Sequence, residues 1–201
     1  MIDVVLRPGL RADARLLAEL VNHAGEGLPL FLWGRMAEPG ETAWDVGRRR
    51  AARDEGSFTF RNATMAEADG QPCGCVIGYP LPDTPEPIPA DMPGMFRPLQ
   101  ELENLAPGTW YLNVLAVLPE FRRYGLGSRL LQCAEDTANR AGAHGMSIIV
   151  SEANAGARRL YERAGYAEAA QRPMVKDGWR NEGGHWLLLT KMFRSRASPR
   201  T

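Results

Sequence analysis

The chain has 201 residues, 44% of them apolar, and its 24 basic and 24 acidic side chains cancel to a net charge of zero. At roughly 150 residues per domain, this length predicts a single core. Balanced charge excludes a strongly basic nucleic-acid binder, and an apolar content this high excludes a disordered chain.

In chain order, Val4 to Arg7 reads as a short strand stopped by Pro8-Gly9. Ala14, Leu17 and Val21 repeat at helical spacing to about His23. A second helical stretch breaks near Pro39-Gly40 and resumes from Thr42 to Arg53, with Arg48-Arg49-Arg50 on a solvated face. Ser57 to Met65 and Cys73 to Tyr79 read as a hairpin around the Asp69-Gly70 turn. Eight of the fifteen prolines then fall between Pro80 and Pro107, a density that forbids a regular strand. Met95 to Leu105 can still form a short helix there. The segment sets Asp83, Glu86, Asp91, Glu101 and Glu103 against Arg97 alone, and reads as an ordered, acidic excursion or lid inside one domain. Trp110 to Leu118 is the most strand-like run in the chain. A helix follows on Leu126, Leu130, Cys133, Ala134 and Thr137, then a short strand from Met146 to Val150. Asn154 is a good helix N-cap ahead of Ala157, Leu160 and Ala164. Strands at Tyr166 to Val175 and His185 to Phe193 close the domain at about residue 193, leaving 194–201 as a flexible tail.

Three cysteines make no disulfide framework, and the odd count suits a reducing compartment. Cys73 and Cys75 lack further ligands for zinc, so no metal is expected. Cys133 shares the spacing of its apolar neighbours and reads as a packing residue. With no apolar signal core and no run of about 18 apolar residues, the expectation is a cytoplasmic protein without a membrane or nucleic-acid partner.

The chemistry-bearing stretch is Val117-Leu118-Pro119-Glu120-Phe121-Arg122-Arg123-Tyr124-Gly125-Leu126-Gly127-Ser128. It runs from a strand through a basic, glycine-containing turn into an amphipathic helix. Gly125 and Gly127 let the backbone turn tightly and approach a ligand, and a helix start presents free N–H groups to an anion. Arg122, Arg123 and Arg129 add charge for a phosphate. On these residues alone, an ordinary strand-to-helix turn with surface arginines explains the pattern as well. The turn lacks the Gly-Lys-Ser/Thr of a P-loop and the third glycine of a Rossmann fingerprint.

Arg122-x-x-Gly125-x-Gly127, preceded by Leu115-Ala116-Val117, resembles the acyl-CoA signature of the GCN5-related N-acetyltransferase (GNAT) family. Asn154-x-x-Ala157-x-x-Leu160-Tyr161-x-x-x-Gly165-Tyr166 is similar to that family's second block, in matching order and spacing. The resemblance implies an α/β (α+β) fold: a mixed, strongly twisted sheet of six or seven strands with helices on both faces. It implies acetyl-CoA as co-substrate, with pantetheine on backbone groups near Leu115, Ala116 and Val117. The pyrophosphate would lie on Arg122, Arg123, Tyr124, Gly125, Leu126, Gly127 and Ser128, with Asn154 and Tyr161 also at the cofactor. Tyr161 matches the position of the acid that protonates the departing thiolate; its other reading is a buried aromatic on the helix face.

Relatives often place a carboxylate on the central strand, but here the residue is Asn113, whose amide cannot accept a proton and is left to orient substrate or water. Glu152, His185 and solvent remain as proton acceptors, while His23 and His144 read as surface positions. The implied reaction is direct acetyl transfer, in a ternary complex, to a primary amine of a small molecule or peptide. The acceptor is expected between the first helices, the excursion and the last hairpin, where Phe31, Trp33 and Trp186 read either as pocket lining or as core. The alternative is a non-catalytic acyl-CoA sensor or partner subunit. Homodimers are common in the family.

Overall fold

The computed structural model describes residues 3–193, so the expected tail lies outside the described residues. Seven strands, β1 (Val4–Pro8), β2 (Ala63–Ala68), β3 (Gln71–Pro80), β4 (Trp110–Val117), β5 (Gly145–Ser151), β6 (Ala167–Pro173) and β7 (His185–Met192), form one sheet in the order β1-β2-β3-β4-β5-β7-β6. The sheet is mixed: β4 and β5 are parallel, with Trp110 opposite Met146, whereas β1/β2, β2/β3, β5/β7 and β6/β7 are antiparallel. Six α-helices accompany it: α1 (Ala14–Ala24), α2 (Leu28–Met36), α3 (Ala43–Ala51), α4 (Arg97–Glu103), α5 (Leu126–Arg140) and α6 (Ala155–Arg163). The chain groups into two compact units. The first takes the chain through Tyr79, Leu112–Ala134 and Gly178–Asn181; the second takes Pro80–Tyr111, Glu135–Asp177 and the chain from Glu182.

In the first unit, the period of two in the strands sorts side chains to two faces. Met65, Cys75, Ile77, Val114 and Ala116 join Leu17, Leu20 and Val46 in a buried core on the α1–α3 face. On the other face Gly74 leaves room for α5: an added Cβ would sit 2.8 Å from the Ala116 carbonyl oxygen, 3.2 Å from Val117 and 3.4 Å from Leu130. Arg7 ties the first elements together, bonding Asp13 at 2.7 and 2.9 Å and Glu67 at 2.6 Å. Its guanidinium holds the Asp13 carboxyl below the usual range. Thr42 and Asp45 form a reciprocal capping box that starts α3.

Two expectations change in this unit. The strand expected from Ser57 begins only at Ala63, because the Thr59 hydroxyl bonds the Arg53 carbonyl and accepts from the Arg61 amide, winding Phe60–Asn62 into a 3₁₀ turn. Such local side-chain bonds compete with a strand ladder. Phe58 is instead stacked on Trp33, with ring centroids 5.8 Å apart. Within the arginine run, Arg48 and Arg49 are surface residues paired with Asp45 and Glu41. Arg50 is half-buried, its Nε has no hydrogen-bond partner, and burial lowers its pKa.

In the second unit the proline-rich excursion is ordered. Its two ends lie side by side, the Leu81 amide bonding the Thr109 carbonyl at 2.8 Å and the Gly108 amide the Pro82 carbonyl at 2.9 Å. Asn104 clamps Glu86 through both backbone groups of that residue at 2.8 and 3.0 Å. From α4, Leu102 packs with Ala106 and Leu188 in a small core bordered by Leu81, Ile149 and Trp186. Glu101 pairs with Arg172 at 2.9 Å. Trp33 is thus a core residue of the first unit, and Trp186 is partly buried against the small core of the second.

Burial, and then the charge of Glu86, push the Glu103 carboxyl up to about 7. A carboxyl protonated more easily in the folded chain than in the unfolded one makes stability fall as pH rises from its ordinary value of 4.5 to about 7, and leaves it level above that. Glu103→Gln should therefore unfold at higher urea than the parent at pH 8, with the advantage vanishing below pH 4.5. A difference independent of pH would contradict this account.

Candidate functional site

In the first unit the site is the turn between β4 and α5. The Leu118 amide bonds the Cys73 carbonyl at 2.8 Å, pinning the end of β4, and Pro119–Phe121 then form one 3₁₀ turn. Arg123 and Gly125 are left-handed, at φ 71° and 75°. For Arg123 this conformation costs about 1–2 kcal/mol. At Gly125 an added Cβ would meet nothing within 4 Å, so the backbone there is open to an approaching group. Leu126 and Leu130 are buried and anchor the first turn of α5, whereas Arg122, Arg123, Tyr124, Gly125 and Ser128 are exposed and Gly127 is intermediate. The first amides of α5 have no partner one turn back, and the positive end of the helix dipole adds to them.

The arginines are not equivalent. Arg122 turns back so that its Nε donates to the Val117 carbonyl at 3.1 Å, and Arg129 reaches the Val4 carbonyl at 3.0 Å. Both brace the turn while keeping part of the guanidinium for a phosphate. Along β4, Val114 and Ala116 point into the core, so Ala116 has only its backbone to offer a ligand. Asn113, Leu115 and Val117 lie half-buried on the opposite face.

In the second unit, Asn154 caps α6, its Oδ1 accepting from the Ala157 amide at 3.0 Å, which commits that oxygen to the fold. Tyr161 is the one buried residue of α6, its ring 5.6 Å from that of Tyr166. Burial pushes its hydroxyl well above the ordinary tyrosine value, so at neutral pH it is a phenol able to donate a proton. Glu152 and His185 come together: Glu152 Oε2 lies 3.2 Å from His185 Nδ1, and Oε1 accepts from the His185 and Gly184 amides. The spacing in the chain gives no hint of this pairing; the β5/β7 register, which sets Ser151 opposite Trp186, accounts for it.

The contacts made by the loop between β6 and β7 are not announced by the sequence. Trp179 is buried, Asn181 bonds Glu26 beyond the end of α1, and Gly178 lies against Phe31. Arg35 covers the Phe31 ring at 4.6 Å. Cys75 is fully buried, and burial raises both it and Cys73, keeping the thiols protonated. Among the described residues, no group of three or more His, Cys, Asp or Glu is placed to hold a metal ion. Among the same residues, no helix is long and apolar enough to cross a membrane.

A model of the acetyltransferase (GNAT) family matches residues 28–166, a stretch that includes the β4–α5 turn and, separately, α6 with Asn154 and Tyr161. The chain belongs to that family. An uncharacterized N-acetyltransferase, YhfO of Bacillus subtilis, is 42% identical over 59 residues, which span 29% of this chain and 40% of that relative. Among solved structures, the yncA acetyltransferase of Salmonella typhimurium with acetyl-CoA superposes at a TM-score of 0.61 and 21% identity, over 98% of both chains. A GNAT acetyltransferase of Elizabethkingia anophelis with acetyl-CoA bound superposes at 0.60 and 17% identity, over 94% of this chain and 98% of the other. At these identities the structures establish that the chain has the GNAT fold.

The cap on α6 separates two roles for Asn154. Asn154→Ala should lower stability by about 1 kcal/mol in chemical denaturation, and Asn154→Asp, which keeps a capping oxygen, by far less. Equal losses from the two variants would contradict the capping role.

Proposed function

We propose that the chain transfers an acetyl group from acetyl-CoA directly to a primary amine of a small molecule or peptide. The observation that carries this reading is the turn at Arg122 to Ser128, where left-handed backbone at Arg123 and Gly125 feeds an exposed helix start flanked by arginines. Such a turn suits a pyrophosphate through backbone N–H groups and charge together. Residues 122–128 and the backbone of Leu115, Ala116 and Val117 are the proposed acetyl-CoA contacts. Asn154 adds its amide nitrogen.

In the reaction a neutral amine attacks the thioester carbonyl. The C–N bond forms as the carbonyl pair moves to oxygen, and a β4 backbone N–H near Leu115 or Ala116 stabilises the oxyanion. Collapse restores the carbonyl and breaks the C–S bond, sending that pair to sulfur. Tyr161, held as a phenol by its burial, gives the thiolate its proton. The surplus proton on nitrogen leaves to solvent and the phenol is restored. Asn113, unable to take a proton, orients the acceptor or a water.

The excursion attracts a cationic acceptor less than its composition suggests. Glu101 is spent on Arg172, and Glu103 is partly protonated near neutral pH, which leaves Asp83, Glu86 and Asp91 as its free charges.

Release of free CoA across a panel of primary amines tests the reaction. Turnover with an amine supports transfer, whereas tight acetyl-CoA binding without turnover on any amine identifies an acyl-CoA sensor instead. Tyr161→Phe should lower kcat about 10- to 100-fold and leave the acetyl-CoA Kd unchanged. A parallel loss of affinity would make Tyr161 a packing residue beside Tyr166.

A further inference from the structure

Where the excursion leaves β3 it borders a cavity of about 210 Å³, open to solvent and lined by Leu81, Pro82, Pro85, Pro107, Glu86 and Glu103. We infer that residues 82–89 form a pH-sensitive strap, docked on α4 while Glu103 carries a proton and released when Glu86 and Glu103 are both charged. The inference concerns the second unit alone and is independent of the acyl-transfer reading.

The strap has few bonds to hold it. Four of its eight residues, Pro82, Pro85, Pro87 and Pro89, have no N–H to donate. At its base the Gly108 amide bonds the Pro82 carbonyl at 2.9 Å. At its far end Arg97 Nη2 and the Met92 amide reach the Pro89 carbonyl at 3.3 and 3.1 Å. Between these points the strap is fastened by Asn104, the residue that ends α4. Its Oδ1 accepts from the Glu86 amide at 3.0 Å, and its Nδ2 donates to the Glu86 carbonyl at 2.8 Å. Gln100, one turn back on α4, steadies the clamp by donating to the same Oδ1 at 3.3 Å.

The clamp also brings two carboxyls to the cavity. Glu86 is the clamped residue, and Glu103 directly precedes Asn104. No described group donates a hydrogen bond to the Glu103 carboxyl; burial and then the charge of Glu86 set its protonation. Nor does a cation offset the two acids. α4 packs against β5, β6 and β7. β5 carries no charge, and on β6 Arg172 is taken by Glu101 while Glu168 is exposed. On β7, Lys191 is taken by Glu135 and His185 by Glu152. On the excursion itself Asp83 crowds Gly108 together with His144, at the base of the strap, and Asp91 is exposed.

A neutral Glu103 sits in the cavity without opposing the clamp. An ionised one is a poorly hydrated charge facing a second charge of the same sign, and release of the strap lets water reach both. Docked, Glu103 holds its proton up to about 7; released, it returns towards its ordinary value of 4.5. The docked form thus binds the proton more tightly, so release grows as pH rises from 4.5 to about 7 and is level above that.

The test is amide hydrogen exchange of the whole chain by NMR at pH 5 and pH 8, each rate divided by the intrinsic rate of that amide, with a carbon-13 titration of the Glu103 carboxyl. Protection of the Glu86 amide should fall about 100-fold between the two pH values, while the Gly108 amide at the base keeps its protection. Glu103→Gln should abolish the fall. Glu86→Gln should only reduce it, because burial, the larger cause, remains. Two results in the parent chain overturn the inference whatever the variants do: Glu103 titrating at its ordinary value, or a Glu86 amide equally protected at both pH values. Loss of protection at Glu86 and Gly108 together overturns it as well, since the event is then unfolding of the unit and not release of a strap. So does a fall that persists in Glu103→Gln.

Discussion

The proposed chemistry depends on one backbone constraint: after β4 the chain must turn through left-handed residues and enter α5 with its first amides uncovered. Arg123 has a Cβ and bears a steric cost there that Gly125 avoids. Bonds around the turn hold it against that cost. Leu118 is tied to Cys73, Arg122 folds onto the Val117 carbonyl, and buried Leu126 and Leu130 fix the helix that follows. Gly74 belongs to the same device, since a side chain at that position would press on the carbonyl of Ala116 and on Val117. What the turn gains is a cluster of donors that water does not have to reorganise when a phosphate arrives.

In the second unit, local surroundings set the protonation states of two groups. Two groups with similar access to solvent in sequence terms are driven apart by their surroundings: burial holds Tyr161 as a phenol, while backbone donors at the start of β7 hold Glu152 as a carboxylate. Environments that separate titratable groups in this way are how one fold supplies both a donor and an acceptor at the same pH. Glu103 shows the same physics, its raised pKa following from burial beside Glu86 in the excursion.

Much of this was legible in the sequence because local rules act there without opposition. The β4–turn–α5 run, the Asn154 cap, the Asp69-Gly70 hairpin and the ordered excursion with its short helix all follow from side-chain period, capping chemistry and turn residues. The failures have tertiary or competing local causes. Ser57 to Asn62 alternates like a strand, yet the Thr59 hydroxyl and the stacking of Phe58 on Trp33 draw it into a turn. Arg50 reads as one of three surface arginines, but its place on α3 buries part of it. The Glu152–His185 pair and the Asn181–Glu26 bond join residues far apart in the chain, and only strand order and register bring them together. Periodicity contains no information of that kind.

If the turn from Arg122 to Ser128 is the anion-binding element of an acetyl-CoA site, its amides are where the ligand must act. Backbone hydrogen exchange, followed with and without millimolar acetyl-CoA, addresses it residue by residue. Exchange should slow on the amides of 122–128, with α1 to α3 unchanged. Exchange at those amides that acetyl-CoA leaves unaltered would contradict it.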